Sequence, residues 1–220
     1  MSKKQSASRG RRLTSEERAE LALRRSTVST AFIGILIALA IGVAFEAVRE
    51  PIAREGITLR NFSFFGVLLL TTTRFFIGYQ LHLTDPVFLK LPGGVWFLDA
   101  VIITVETLLL TFMAGISTVQ RSDASRYGFI RLLVVLLMLD ITWILLQWIA
   151  GLIRPAYQRK VLWGWLVSGV VLIALLYGIQ QWYGDIRTHD GLFALLSINV
   201  LAFVFDIWIV DHYKLLDEGG

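Results

Sequence analysis

Between Asn61 and His82 the chain reads NFSFFGVLLLTTTRFFIGYQLH, an apolar run of membrane-spanning length with an arginine, Arg74, near its middle. A transmembrane helix needs about 20 mostly apolar residues to cross the hydrocarbon core. A guanidinium at that depth costs about 3 to 17 kcal/mol, depending on the measure. Such a residue is retained only where the fold supplies a polar partner. Three later apolar runs each carry one acid well inside, Glu106, Asp140 and Asp206. The sequence therefore predicts an arginine–carboxylate set assembled from several helices.

The rest of the chain fits that frame. Of 220 residues 55% are hydrophobic and 17% charged, with a mean hydropathy of +0.65. A soluble domain carries about 25% charged residues. The apolar residues are gathered into long blocks, so the expected fold class is all-α: a polytopic integral membrane protein, a bundle of six transmembrane helices. There is no cysteine, which excludes disulfides, thiolate catalysis and cysteine-ligated zinc or iron–sulfur centres. The chain has no phosphate-binding glycine loop, nucleophile elbow, arginine ladder or carbonyl filter motif. Nothing calls for a catalytic residue, a resident metal or a cofactor.

The formal charge is +4, yet eight of the 21 Lys and Arg residues precede position 26. A basic cluster directly before a span acts as a topology determinant and as a contact for anionic lipid headgroups. Nucleic acid is not the expected partner. Residues 1–26 are read as a basic cytoplasmic tail, disordered at first. Thr14 and Glu17 fit a capping box opening a short amphipathic helix that lies on the membrane or runs into the first span. The transmembrane domain is expected over 27–213 and a second cytoplasmic tail over 214–220.

Six spans follow at about 27–48, 61–83, 95–117, 127–153, 161–182 and 191–211. Between the first two, Arg49 to Arg60 reads as a polar loop broken by Pro51 and Gly56. Asn61-Phe-Ser63 matches the glycosylation acceptor pattern but lies at the membrane edge, where it carries no weight. With the N-terminus inside, cytoplasmic segments hold 13 Lys and Arg against six outside. The positive-inside rule then puts both termini on the cytoplasmic face of a cell (inner) membrane. Gly34, Ala38 and Gly42 form a small-residue stripe on span one, a candidate face for helix packing or a homo-oligomer.

A rise of 1.5 Å per residue places Arg74 and Asp140 roughly 18 Å below the outer face, and Glu106 roughly 16 Å above the inner one. Asp206 falls nearer the cytoplasm. Arg74, Glu106, Asp140 and Asp206 are the candidate ion- or proton-binding residues, with Glu106 and Asp140 as preferred ligands and Arg74 as counter-charge. Thr71, His82, Asp99 and Asn199 are accessory candidates. Thr71, Arg74, Gly78 and His82 share one stripe, and both Asp99/Glu106 and Asn199/Asp206 stand seven apart. A second grouping at the cytoplasmic ends, His82, Asp85, Asp99, Asp211 and His212, lacks metal-ligand spacing and reads as interfacial polar residues.

Two functional readings follow. One arginine against three acids leaves a formal −2 that a bilayer tolerates only with water, protons or a cation, which points to a transporter or channel for protons or cations. The alternative is a membrane-anchored structural or effector protein, acting through helix packing and its basic tail, in which the cluster only braces helices. A membrane-embedded enzyme is the third and weakest reading.

Overall fold

The structure, a computed structural model, describes residues 15–84, 93–118, 123–149, 156–183 and 189–218. Residues 1–14 of the basic tail, with Thr14, and Asp85 lie outside them. Within them the chain forms six α-helices: α1 (Ser15–Glu55), α2 (Leu59–Thr84), α3 (Gly93–Thr118), α4 (Asp123–Ile149), α5 (Ala156–Tyr183) and α6 (His189–Glu218). Five carry a stretch long and apolar enough to cross a membrane: Asn61–Gln80, Phe97–Ile116, Gly128–Ile149, Val161–Trp182 and His189–Asp211. In α1 the corresponding stretch is shorter, Thr30–Glu46. At 1.5 Å per residue it covers about 26 Å, short of a hydrocarbon core about 30 Å thick.

The helices outrun the spans expected from sequence. Helix α1 passes without a break from the tail into the apolar run and on to Glu55, about 60 Å in all. The polar loop expected over 49–60 is therefore largely helix, a correction with a local cause. Ala, Glu and Arg in this segment are strong helix formers, and Pro51 does not end the helix. The chain turns only at Gly56, whose φ of 77° is left-handed. Its N–H donates to the Ile52 carbonyl at 2.9 Å, the αL closure that favours glycine just past a helix end. Thr58 then caps α2, its Oγ1 accepting from the Asn61 amide at 3.2 Å. Asn61 and Ser63 are buried inside that first turn. Helix α6 likewise continues through Glu218, where a tail was expected from 214.

Packing follows from which helices touch. Contacts link α2 to α3, α3 to α4, α4 to α5, α5 to α6 and α6 back to α2, a closed five-helix ring. Helix α1 lies outside it, packed on α2 and α3. Small residues set the close approaches, as expected where apolar surface meets lipid as readily as protein. A Cβ at Gly66 would stand 3.0 Å from Leu196, and one at Gly164 2.6 Å from Ile209. Helices α2 and α6 run parallel, since Gly66 meets Leu196 and Arg74 meets Asp206. Buried Phe64, Met113, Phe129, Leu133, Leu172 and Leu195 fill one half of the ring interior. Some buried hydroxyls are satisfied within their own helices, as where Thr72 and Thr107 donate to the Leu68 and Ile103 carbonyls.

Candidate functional site

The other half of the ring holds a cavity of about 70 Å³, lined by all five ring helices and not by α1. Arg74, Gly78 and Tyr79 come from α2, Asp99 and Glu106 from α3, Asp140, Trp143 and Gln147 from α4, Leu162, Trp165 and Gly169 from α5, and Asp206 from α6. All four principal candidates thus border one space, and Asp99 joins them. That volume has room for a few water molecules among several polar partners.

Arg74 selects Asp206. Its Nε donates to Asp206 Oδ2 at 2.5 Å, and both side chains are about nine-tenths covered. Arg74 Nη2 also reaches Ser168 Oγ on α5 at 3.4 Å. One guanidinium therefore ties three helices of the ring. The sequence leaves Glu106, Asp140 and Asp206 all open as partners of Arg74, with Asp206 somewhat nearer the cytoplasm and Glu106 and Asp140 preferred as ion or proton ligands. An error of a few residues in each span boundary accounts for the difference, because α2 and α6 run parallel with their charged residues in register.

Glu106 is fully buried. The Tyr79 hydroxyl donates to its Oε2, while Oε1 is buried without a hydrogen-bond partner. Asp99, also buried, accepts from the Trp143 indole N–H at 2.8 Å. Asp99 and Asp140 both act electrostatically on Glu106. The cavity therefore has two parts. An Arg74–Asp206–Ser168 clasp stands on the α2/α5/α6 side. A group of three acids, Asp99, Glu106 and Asp140, gathers on the α3/α4 side around neutral donors from Tyr79 and Trp143.

The remaining accessory candidates fall elsewhere. Thr71 and Asn199 are buried but do not line the cavity, and Asn199 Nδ2 donates to the Leu195 carbonyl within its own helix. The His82 side chain lies outside the described residues, as do Asp85 and the His212 side chain. Asp211 is exposed at the end of the α6 apolar run. Among the described residues no group of three His, Cys, Asp or Glu is placed to hold a metal ion.

Sequence reasoning passed over Tyr79, Trp143, Ser168 and Gln147. Tyr79 had a usable signal: a tyrosine five residues past Arg74 on the same apolar run needs a partner for its hydroxyl if it is buried. Trp165 also lines the cavity, and its ring sits 3.6 Å from where a Gly78 Cβ would be. The chain matches no known protein family, no curated protein and no solved structure, so the site rests on its own geometry.

Proposed function

We propose that the protein is a six-span membrane protein, both termini cytoplasmic, that binds a proton or small cation at this cavity and passes it through the bundle. The observation that carries the reading is the convergence of Arg74, Glu106, Asp140 and Asp206, from four different helices, on one small cavity. Polar groups are placed at such depth only at a cost, and ionisable residues inside spans by default mark pathways for ions or protons. Outward-facing Phe32, Ile35, Phe97, Phe112, Trp182 and Phe193 favour a lipid surround. The short apolar run of α1 serves as the sixth span if its basic flank reaches to the headgroups. Thirteen cations against six support the orientation, and Arg131, exposed near the start of α4, raises the outer count to seven. Anionic headgroups are the expected partners of the N-terminal tail.

The purified chain in liposomes carrying an interior pH or cation indicator should relax an imposed gradient faster than empty liposomes. Glu106→Gln and Asp140→Asn should abolish that flux without lowering the melting temperature. Wild-type liposomes no leakier than empty ones, at either polarity of membrane potential, would sink the transport reading. The bracing alternative is favoured by one observation, the Arg74–Asp206–Ser168 clasp, which ties three helices with no ion involved. That outcome would leave it standing.

A further inference from the structure

Resting on the reading above, the geometry points to the occupant: we infer that the cavity takes a proton, carried by Glu106 with Tyr79 as its hydrogen-bond partner, and not a metal cation. A bare metal ion would need several oxygens drawn to about 2.0 to 2.6 Å around one point. No three acids or histidines among the described residues are so placed. Neutral donors occupy the carboxylates instead, Tyr79 on Glu106 and Trp143 on Asp99.

Glu106 is the carrier because it is a fully buried acid with an oxygen left over whose one hydrogen bond comes from the neutral Tyr79 hydroxyl. Asp206, which also has an oxygen left over, is held by Arg74, and Asp99 by the Trp143 indole N–H. Glu106 lines the cavity and its Oε1 has no hydrogen-bond partner, and a buried polar atom in that condition calls for a proton or a water. The charges that face it are Asp140 from α4, Asp99 from its own helix, and Arg74 with Asp206 across the cavity. Helices α1 and α5 contribute no charged side chain to the described lining. Arg74 bonds to Asp206 and Ser168, and the hydrogen bond to Glu106 comes from Tyr79. A proton delivered as hydronium through the cavity waters forms one O–H bond on Glu106 Oε1 and leaves a water behind. The proton departs by the reverse step.

The test is infrared difference spectroscopy of the full-length protein across a pH step. A protonated carboxyl has a C=O stretch distinct from that of a carboxylate. One such band should titrate in the wild type, disappear in Glu106→Gln and persist in Asp206→Asn. Tyr79→Phe should move the band without removing it, because the hydroxyl that bonds the group is gone. It also serves where Glu106→Gln fails to fold. Sodium, potassium, magnesium and calcium chlorides at fixed pH should leave the band unchanged. A band that survives Glu106→Gln, ignores Tyr79→Phe or is displaced by any of these cations would overturn the inference. If the band behaves as expected while liposomes show no flux, Glu106 still binds a proton and only the transport reading falls.

Discussion

Arg74 and Asp206, 132 positions apart, are bonded to each other inside the ring of helices, whereas Glu106 has Tyr79. The guanidinium and Glu106 thereby stand on opposite walls of one cavity. An arginine bonded to Glu106 would have made it a fixed half of an ion pair. Bonded to Asp206, the arginine supplies a positive field across the cavity and leaves Glu106 with a neutral neighbour.

The pairing predicts a specific pattern of rescue. Arg74→Ala strands the Asp206 carboxylate and should cost about 3 to 5 kcal/mol, the usual penalty for breaking a buried pair. Arg74→Ala with Asp206→Asn should recover most of that loss. Arg74→Ala with Glu106→Gln should not. Melting in detergent, arranged as a double-mutant cycle, reads the coupling directly. Coupling of Arg74 to Glu106 stronger than to Asp206 would contradict the geometry.

Tyr79→Phe removes the donor to a buried carboxyl at no change of shape. A stranded acceptor costs about 1 to 3 kcal/mol, so the variant should melt at a lower denaturant concentration with an unchanged slope. Trp143→Phe likewise strips the indole N–H from Asp99, and the smaller ring adds a cavity cost at this buried site. An effect below about 0.5 kcal/mol at both positions would mean that water replaces these donors freely.

These partners show what could and could not be read from the chain. The need for an acid beside Arg74 is legible because a cation in an apolar run has few alternatives. The choice among Glu106, Asp140 and Asp206 is not, because span boundaries uncertain by a few residues blur depth by about 5 Å, more than the separation between candidates. Helix ends were misread for a related reason. Hydropathy marks where a membrane run stops, but α1 continues through Arg49, Glu50 and Pro51 until Gly56 closes it. Ser168 and Gln147 escaped notice because single uncharged polar residues in a span carry no signal until neighbouring helices are placed around them.

The glycines separate two kinds of position. At Gly164 an added Cβ would stand 2.6 Å from Ile209 Cδ1, the flexible end of a side chain. Gly164→Ala should cost about 1 to 3 kcal/mol as overpacking, and Ile209→Val in the same chain should restore most of it. Nothing lies within 4 Å of a Cβ at Gly34 or Gly42, so the small-residue stripe expected to pack helices has no partner among the described residues. Gly42→Leu should leave the melting of a monomer unchanged within about 0.5 kcal/mol. Sedimentation in detergent then decides whether the stripe is a self-association face: a loss of oligomer in Gly42→Leu supports it, and an unchanged mass removes it.

The cavity is one-sided, and this gives the last prediction. Its lining runs from Arg74 and Glu106 to Gln147 near the end of α4 and to Leu162 near the start of α5. In the opposite direction the ring closes on Leu110, Met113, Leu133 and Leu195, none of which has accessible surface. Water should therefore reach the acids from the end where α2 and α4 terminate, the cytoplasmic end in the proposed orientation. The chain has no native cysteine, so single cysteines report without background, and silver ion is a thiol probe small enough for the space. Silver added on the side of the termini should block later labelling of Gln147→Cys, and silver on the other side should not. Met113→Cys should stay unmodified from both sides until the protein is denatured. Reaction at Met113→Cys in the folded protein would show a path through the apolar half. Reaction of Gln147→Cys only from the far side would reverse the orientation itself.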